Sequence, residues 1–366
     1  MVKKLEIGTP IKNIDTPALL VDLDLLTENI NKMADAFKDS RVRVRPHIKT
    51  HKCPEIAKLQ IEAGAIGITC AKVSEAEVFA EDGITDILIA NQITGPVKID
   101  RLTELAKRCE LMVAVDDAKN VEALNLACQE KNITIRVLVE VNIGMNRCGV
   151  EPGEDTLKLT QVVNDASHLG FWGFQAYEGH LVLVKNPSER AQKVEADFAP
   201  LRETIEMVEQ AGIEVKTVSG GGTGTYDLAE ELTPLTEVQV GSYVFMDSTY
   251  ASIRGEFKPS IHIVSTVVSR PVPARLVTDA GLKAMTSEFG WPVLESVDDV
   301  KMNYLSEEHA VLTLEKPESV TLIGGDRVLF LPSHVCTTVN LHDYFYVHQN
   351  GRLVDVWKIK ARGCTQ

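Results

Sequence analysis

The sequence lacks the features of a membrane protein, a nucleic-acid-binding protein or a secreted protein. No stretch reaches about 18 uninterrupted apolar residues, so we predict no membrane span. The formal net charge is −14, which argues against nucleic acid or an anionic membrane as a partner, because both need a basic surface. The seven cysteines are scattered without a C-x-x-C pair, and no apolar run follows the N-terminal lysines. We therefore expect reduced thiols, no signal peptide and a cytoplasmic protein.

The composition is that of an ordinary globular protein, with 44% hydrophobic and 25% charged residues. From about residue 40 to 250, short apolar runs alternate with segments of helical spacing. The apolar runs predict eight strands, at residues 42–48, 65–71, 87–91, 111–116, 135–141, 170–177, 215–219 and 237–241. The helical spacing predicts helices at residues 54–63, 74–81, 98–108, 119–131, 155–166, 189–211 and 226–231, and one before the first of these strands near residues 26–37.

Eight strands, each followed by a helix or a short helical turn, predict a (β/α)8 TIM barrel. An open doubly wound sheet is the alternative, but no G-x-G-x-x-G follows the first strand and eight regular units favour the barrel. Past about residue 255, the segments 261–268, 310–314, 327–331 and 344–347 predict an antiparallel β-domain. We predict a barrel domain at residues 23–255 and a β-domain at residues 256–366, to which residues 1–22 add a strand.

The first predicted strand ends in a dense cationic segment, RPHIKTHK at residues 45–52. A solvated turn rich in lysine is the ordinary interpretation of such a segment, although it is unusual in an acidic chain. In a TIM barrel, functional side chains gather at the carboxyl ends of the strands. Lys49 falls where a strand-end side chain enters the barrel mouth, so we predict that Lys49 is functional.

The seventh predicted strand runs into a glycine-rich segment, SGGGTGT at residues 219–225. A glycine run before a short helix exposes successive backbone N–H groups, and the helix N-terminus adds partial positive charge. The eighth predicted strand runs into GSY at residues 241–243, which offers two hydroxyl groups. A phosphate site after strands seven and eight recurs in TIM barrels, so these two segments predict one here.

In a closed barrel the first strand neighbours the eighth, which places Lys49 across the mouth from the glycine run. A lysine amine that faces a bound phosphate indicates Schiff-base chemistry with a carbonyl compound. Pyridoxal phosphate presents an aldehyde and a phosphate on one ring, and it is the cofactor that this arrangement predicts. A sugar-phosphate aldolase fits the same two features.

Seven segments of the sequence stand in an order that resembles the D-threonine aldolases. They are RPHIKTHK at 45–52, KVSEA at 72–76, NRCGV at 146–150, YEGH at 177–180, GGGTG at 220–224, DAGLK at 279–283 and PSHVCTTVNLHD at 332–343. The resemblance covers nearly the whole chain. The same family contains D-serine dehydratases and D-3-hydroxyaspartate lyases, and it has the alanine-racemase-like fold of pyridoxal-phosphate enzymes.

The resemblance implies that Lys49 carries the cofactor as a Schiff base. It implies that the residues that hold the phosphate are Gly221, Gly222, Thr223, Ser242 and Tyr243. It places Tyr177 near the pyridine nitrogen and Arg147 near the phenolic oxygen of the ring, where a buried aromatic and a surface arginine are the plain alternatives. A neutral partner at the pyridine nitrogen leaves the ring a weaker electron sink, which favours reactions that need little carbanion delocalisation or reactions assisted by a metal.

The resemblance also implies a divalent metal at His334 and Cys336. On an extended segment, residues i and i+2 point the same way, so an imidazole and a thiolate can share one ion. The aldolases usually carry His-x-Asp here, whereas His-x-Cys is typical of zinc-dependent D-serine dehydratases. A thiolate favours zinc, and a carboxylate suits manganese or magnesium. Cys336 therefore leaves both the aldolase reaction and the dehydratase reaction open.

The predicted function is a lyase that depends on pyridoxal phosphate and a metal, acts on D-β-hydroxy amino acids and is of the D-threonine aldolase type. Its products would be glycine and an aldehyde, and His180 is the predicted base for the substrate hydroxyl. The alternative is a D-serine or D-3-hydroxyaspartate dehydratase, in which Lys49 takes the α-proton and a keto acid and ammonia are formed. An amino-acid racemase and a non-catalytic carrier of the cofactor are lesser alternatives. The predicted partners are a small D-amino acid and, from the resemblance, a second copy of the chain in a homodimer.

Overall fold

The structure is a computed structural model that describes residues 5–295 and 297–366. By its packing the chain divides into two compact units. The barrel unit consists of residues 33–49, 56–241 and 363–366, and the β unit of residues 5–32, 50–55 and 242–362. This division follows packing alone, so the predicted domain bounds at residues 23–255 and 256–366 stay a prediction.

The first strand and the first α-helix are β1 (Ala18–Asp22) and α1 (Leu23–Ala36). Asp22 caps the helix, because its Oδ1 accepts the N–H groups of Asp24 and Leu25 at 3.0 and 3.1 Å. Both elements were predicted from the sequence, and α1 starts three residues earlier than residue 26 because of this cap.

The barrel unit contains a sheet of eight parallel strands. They are β2 (Arg43–Val44), β3 (Ile68–Cys70), β4 (Asp86–Gln92), β5 (Glu110–Val115), β6 (Ile135–Glu140), β7 (Leu169–Ala176), β8 (Thr217–Gly220) and β9 (Glu237–Val238). The α-helices between and after these strands are α2 (Pro54–Glu62), α3 (Val73–Glu81), α4 (Pro96–Ala106), α5 (Ala118–Lys131), α6 (Glu154–Asp165), α7 (Pro187–Gln210) and α8 (Ala229–Leu232).

The strand order is β2-β9-β8-β7-β6-β5-β4-β3, and hydrogen bonds join the two ends of this sheet. The N–H of Thr69 donates to the carbonyl of Pro46 at 2.8 Å, and the N–H of Ile66 donates to the carbonyl of Val44 at 3.0 Å. The sheet is therefore closed, and the predicted TIM barrel is confirmed with all eight of its strands. The regular first strand is shorter than predicted, although Arg45 and His47 still donate their N–H groups to the carbonyls of Val238 and Val240, and a 3-10 turn follows at Ile48–Thr50.

The apolar strand sequences fit a sheet that is covered on both faces. Leu88 of β4, Met112 of β5 and Leu138 of β6 form one buried cluster. The next residues along two of these strands, Ile89 and Val113, are also fully buried. Burial on both faces explains why these strands have no polar-apolar alternation.

A buried ion network joins the first barrel strand to its neighbours. The Nε of Arg45 donates to both carboxylate oxygens of Glu237 at 3.0 Å, and another guanidinium nitrogen donates to Asp86 at 2.6 Å. Arg45 and Glu237 are both buried, and their pairing offsets the cost of removing two charges from water. The first residue of the cationic segment 45–52 thus serves the fold.

The described residues of the β unit form a nine-stranded sheet that includes β1. Its other strands are β10 (Ile261–Val272), β11 (Arg275–Thr278), β12 (Val293–Leu294), β13 (Val300–Leu305), β14 (Ala310–Leu314), β15 (Arg327–Leu331), β16 (Tyr344–Gln349) and β17 (Arg352–Lys358). Its short helices are α9 (Ser248–Ala251) and α10 (Val335–Val339).

Strand β1 lies between two strands from the C-terminal part of the chain. It pairs antiparallel with β10 and parallel with β16. The other strand pairs of this sheet are antiparallel, so the predicted β-domain fold is confirmed, including the strand from residues 1–22. Across the residues that the structure describes, no helix combines the length and the apolar character needed to cross a lipid bilayer.

Candidate functional site

Lys49 lies in the 3-10 turn that follows β2. The N–H of His47, two residues earlier, donates to the carbonyl of Val240 at 2.9 Å and ties the start of this turn to the segment after β9. Lys49 is exposed, and its Nζ lies 6.0 Å from the ring centroid of Tyr177, directly after β7. The predicted amine and the predicted aromatic partner therefore lie within cation–π distance of each other.

Tyr177 is the residue on which the predicted cofactor residues converge. The guanidinium carbon of Arg147 also lies 6.0 Å from the centroid of its ring. A Cβ placed on Gly222 would lie 3.4 Å from Cε2 of Tyr177 and 3.5 Å from its hydroxyl, so the glycine run packs against the same ring. Lys49, Arg147 and Gly222 thus lie around one side chain in the barrel unit.

The glycine loop, residues 220–225, is held by hydrogen bonds to its own barrel unit. Gly221 has a φ of +71° and donates its N–H to Glu178 Oε2 at 3.2 Å. Gly222 donates its N–H to Thr225 Oγ1 at 3.2 Å. These two predicted phosphate donors therefore have partners within the protein, and the third predicted phosphate residue, Thr223, is buried. Phosphate binding by these three residues stays a prediction.

Glu178 is a buried carboxyl group that sequence reasoning missed. Its Oε1 lies 2.5 Å from the hydroxyl of Thr225, and its Oε2 accepts the N–H of Gly221, so one side chain holds two positions of the glycine loop. Burial raises the pKa of Glu178. The one available signal in the sequence is that Glu178 directly follows Tyr177.

A second buried carboxyl group, Glu140, lies at the end of β6 and was also missed. Its Oε2 accepts hydrogen bonds from Gln92 at 2.6 Å and from Gln175 at 3.1 Å. Burial raises the pKa of Glu140, against the hydrogen bond from Gln92 and the positive charge of Arg147. Glu140 is therefore electrostatically coupled to the arginine that contacts Tyr177.

His180 follows β7 by four residues and faces helix α7. Its Nε2 lies 2.7 Å from Oδ2 of Asp197, and both side chains are partly exposed. An imidazole oriented by a carboxylate is a common arrangement for a general base. The structure gives His180 this partner, and its predicted catalytic role stays a prediction.

Ser242 and Tyr243 belong to the β unit, where they lie in the 3-10 turn Ser242–Val244. Both residues are buried. The ring of Tyr243 packs edge-on against Phe257 with centroids 5.8 Å apart. Their predicted contact with the phosphate stays a prediction.

The predicted metal ligands His334 and Cys336 do not lie on an extended segment, which corrects the sequence-based expectation. His334 is the N-cap of α10, and Cys336 lies in the first turn of that helix. The helix starts here because the N–H of Val335 donates to Oδ2 of Asp247 at 3.1 Å, which satisfies one of the unpaired donors of its first turn. The backbone is therefore not a strand, but the predicted pairing of the two side chains holds, because a hydrogen bond links the imidazole of His334 to Cys336.

Each side chain of the metal pair has polar partners in the β unit. Nδ1 of His334 lies 3.1 Å from Oδ2 of Asp247. Burial acts to lower the pKa of His334, but hydrogen bonds and charge from Asp247 and Cys336 outweigh it and raise the pKa to about 10. Sγ of Cys336 lies 3.4 Å from the hydroxyl of Thr50, which directly follows Lys49 in the sequence. Sequence reasoning found neither Asp247 nor Thr50.

Within residues 5–295 and 297–366, no group of three or more His, Cys, Asp and Glu side chains has an arrangement that could hold a metal ion. His334 and Cys336 would supply two ligands, one fewer than catalytic zinc sites usually take from the protein. The remaining positions would then fall to water or substrate. The role of this pair as ligands stays a prediction.

Two family models match the chain in succession. The model described as alanine racemase, N-terminal domain, matches residues 21–249, and the model described as putative serine dehydratase domain matches residues 260–348. The first match alone spans more than half of the 366 residues. The chain belongs to the alanine-racemase-like family of D-threonine aldolases and D-serine dehydratases.

Curated members of this family are similar to the chain over nearly its full length. It is 37% identical to a 3-hydroxy-D-aspartate aldolase of Paracoccus denitrificans (strain Pd 1222), over 97% of the chain and 94% of that protein. It is also 37% identical to a D-threonine aldolase of an Arthrobacter species, over 97% of the chain and 95% of that protein. The resemblance inferred from the seven sequence segments is thereby confirmed.

Solved structures of family members have the same fold. The crystal structure of D-threonine aldolase from Filomicrobium marinum matches with a TM-score of 0.96 and 39% identity over 100% of both chains. The D-threo-3-hydroxyaspartate dehydratase from Delftia sp. HT23 matches with a TM-score of 0.87 and 27% identity, over 95% of this chain and 98% of that one. One variant of that dehydratase, with a cysteine replaced by alanine, was solved in a metal-free form.

Members of this family are pyridoxal-phosphate enzymes, and the residues of this chain fit that cofactor. Lys49 offers an exposed amine within cation–π distance of Tyr177. Gly222 leaves a space that a Cβ would fill, since that atom would lie 3.1 Å from Val182 and 3.4 Å from Tyr177. Burial raises the pKa of Glu178, which holds the glycine loop through Gly221 and Thr225.

We expect the substitution Gly224→Ala to weaken the binding of pyridoxal phosphate. A Cβ at this position would lie 1.9 Å from the carbonyl oxygen of Val182, so the glycine loop must move. Overpacking of this kind costs about 1–3 kcal/mol. If binding needs the packed loop, this cost raises the dissociation constant for pyridoxal phosphate roughly 5- to 150-fold. Absorbance titration with pyridoxal phosphate measures that constant. In the control Gly170→Ala the new Cβ meets no atom within 4 Å, and equal affinities of the two variants would contradict the prediction.

Proposed function

We propose that this chain is a lyase of the D-threonine aldolase type, which uses pyridoxal phosphate and a divalent metal to cleave D-β-hydroxy amino acids into glycine and an aldehyde. The observation that carries the proposal is the convergence of Lys49, Arg147 and Gly222 on Tyr177. It occurs in a chain that is 37% identical to one D-threonine aldolase and 39% identical to another. Related enzymes named for 3-hydroxy-D-aspartate support the same class of substrate.

The barrel residues hold and orient the cofactor in this proposal. Bound pyridoxal phosphate supplies an electron sink for the carbon next to the substrate amine. Lys49 provides the amine that links the cofactor to the chain, and the glycine loop with Thr223 holds the phosphate. Arg147 and Tyr177 flank the ring, and Glu178 keeps the loop in place through Gly221 and Thr225.

His334 and Cys336 hold the divalent metal in this proposal, and a bound metal supplies a Lewis acid for the substrate hydroxyl. The thiolate of Cys336 favours zinc, while manganese and magnesium are the alternatives. Two protein ligands leave coordination positions for the substrate. The metal-free form of a dehydratase variant that lacks one cysteine supports a metal in this family.

His180 is the proposed base of the aldolase reaction. It takes a proton from the β-hydroxyl of the substrate as the carbon–carbon bond breaks. The carboxylate of Asp197, 2.7 Å from its Nε2, stabilises the imidazolium that results.

A dehydratase is the second candidate function, and Cys336 is the observation that favours it. The His-x-Cys pair is typical of zinc-dependent D-serine dehydratases, and the Delftia dehydratase has the same fold at 27% identity. In this reaction the amine of Lys49 takes the α-proton and the hydroxyl leaves as water, and hydrolysis of the resulting enamine gives a keto acid and ammonia. A racemase is the lesser alternative. Racemisation needs no metal, so a chelator distinguishes it from the lyase reactions.

Product analysis with D-threonine and D-serine tests the proposal. We expect glycine and an aldehyde from D-threonine, because the chain is more similar to named aldolases than to named dehydratases. Chromatography of derivatised amino acids and an aldehyde-specific assay measure the two products. A keto acid and ammonia would establish the dehydratase reaction, and an L-amino acid as the sole product would establish the racemase. L-threonine is the control substrate.

The proposal includes a cytoplasmic homodimer that binds neither nucleic acid nor a membrane. The net charge of −14 supports the absence of these two partners, since both are anionic. Seven cysteines without a disulfide among them support a reducing compartment. The dimer rests on the family resemblance alone.

A further inference from the structure

A single buried carboxylate, Asp247, joins the predicted metal ligand His334 to two helix starts. Asp247 is completely buried. Its Oδ1 accepts the N–H of Tyr250 at 2.8 Å, which caps helix α9. Its Oδ2 lies 3.1 Å from the N–H of Val335 and 3.1 Å from Nδ1 of His334. Both carboxylate oxygens are therefore occupied by donors.

The contact with Asp247 decides which nitrogen of His334 remains for a ligand. The oxygen that faces Nδ1 also accepts the N–H of Val335, and the hydrogen of its contact with His334 is therefore assigned to Nδ1. In the neutral ring, which is the form that binds a metal, the lone pair is then on Nε2, since the partner of one ring nitrogen sets the state of the other. The ring of Phe289 packs on the imidazole with centroids 4.7 Å apart and limits its rotation from a second side.

We propose that Asp247 is a positioning residue, which fixes the tautomer and the orientation in which His334 binds the metal. This inference rests on the proposed function, because it takes His334 and Cys336 as the metal ligands. Asp247 is not a third ligand in this scheme, since Tyr250, Val335 and His334 already use its two oxygens. Carboxylate partners of this kind raise the basicity of a histidine ligand and hold its ring in place.

The substitution Asp247→Asn tests this role in the full-length protein. The amide has the shape of the carboxylate, but it has one acceptor oxygen. An amide nitrogen that faces Nδ1 of His334 would move the ring hydrogen to Nε2, so that Nε2 has no lone pair for the metal. An amide nitrogen that faces Tyr250 could not accept its N–H, and helix α9 would lose its cap. We expect the dissociation constant for zinc to rise about 10- to 100-fold, measured by competition with a chromogenic chelator.

Asp247→Ser separates positioning from a structural role. Serine is also a good N-cap, so it can keep the bond to Tyr250, but it is too short to reach His334. We expect a similar loss of zinc affinity in this variant. Thermal unfolding of the metal-free proteins shows the structural part of the effect, and the extra stability gained with zinc shows the metal-dependent part.

Glu308→Gln is the matched control, because it also removes one carboxylate from the β unit. Glu308 pairs with Lys283 at 2.6 Å, and its side chain is 59% exposed. We expect zinc affinity to be unchanged in this variant. If the wild-type protein binds zinc and the dissociation constant of Asp247→Asn for zinc is within about threefold of the wild-type value, the inference fails while the proposed function stands. If the wild-type protein binds no zinc, the proposed metal site fails and the inference fails with it.

A measurement on the wild-type protein tests the inference without any change at Asp247. In the zinc-loaded protein labelled with ¹⁵N-histidine, we expect the hydrogen of His334 on Nδ1 and the metal on Nε2. The signal of His334 is assigned by its absence in His334→Ala. Zinc bound to Nδ1 would overturn the inference, since that nitrogen faces Asp247.

Discussion

Replacement of Lys49 by alanine is expected to lower the turnover of D-threonine by about 10³-fold or more, and to abolish the covalent attachment of pyridoxal phosphate. Lys49 presents its amine within cation–π distance of Tyr177, around which Arg147 and Gly222 also lie. Reduction with borohydride fixes the cofactor to its lysine, and mass spectrometry of the digested protein then locates it. Loss of attachment and loss of turnover should occur together, because one amine provides both.

Two further variants separate the amine of Lys49 from its charge. Lys49→Arg keeps a positive charge near Tyr177 but cannot form the link, so we expect it to retain more cofactor affinity than Lys49→Ala and to be as inactive. Lys98→Ala removes an exposed lysine in the first turn of α4 and is expected to behave as the wild-type protein. Attachment to another lysine in the wild-type protein, with turnover retained in Lys49→Ala, would contradict the assignment.

The sequence predicts the fold well because the barrel repeats one local pattern. Each apolar run is long enough to indicate a strand, and the helical spacing of apolar residues between the runs indicates a helix. All eight units were therefore predicted. The first strand was predicted too long, since the chain turns at Ile48–Thr50.

The barrel part of the site was predictable because the TIM fold orders the strand ends. Lys49 and Gly222 follow the first and seventh predicted strands, Tyr177 ends the sixth, and closure of the barrel brings these ends together. The hydrogen bond from Gly221 to Glu178 was not predictable, because the two residues are 43 positions apart in the sequence. Because like charges repel, a carboxyl group is not expected beside a predicted phosphate site.

The metal pair shows the limit of reasoning from spacing. The H-x-C spacing predicts two side chains on one face only if the segment is extended, and Val335–Val339 is a helix instead. That helix starts at the carboxylate of Asp247, which lies 87 residues before His334 in the sequence. No local pattern around His334 contains this information, so neither the helix nor the partner of the histidine could be predicted.

Removal of the metal is expected to lower the turnover of D-threonine by about 10²-fold or more, because a Lewis acid contributes several kcal/mol to the transition state. We expect dialysis against EDTA to abolish most of the activity and added zinc to restore it. Covalent attachment of pyridoxal phosphate at Lys49 should survive the same treatment, since Lys49 and Tyr177 lie in the barrel unit and the metal pair in the β unit. Parallel assays of turnover and of borohydride-fixed cofactor measure the two effects separately.

The substitution His334→Ala should reproduce the effect of EDTA and make it permanent, because one of two protein ligands is lost and added zinc no longer restores turnover. His309→Ala is the matched control, since His309 is an exposed histidine of the same β unit. A racemase would keep its activity in EDTA and in His334→Ala. An EDTA-treated protein that still cleaves D-threonine at the wild-type rate would therefore exclude a catalytic metal at His334 and Cys336. Loss of activity in His309→Ala would show that the β unit does not tolerate replacement of a histidine by alanine.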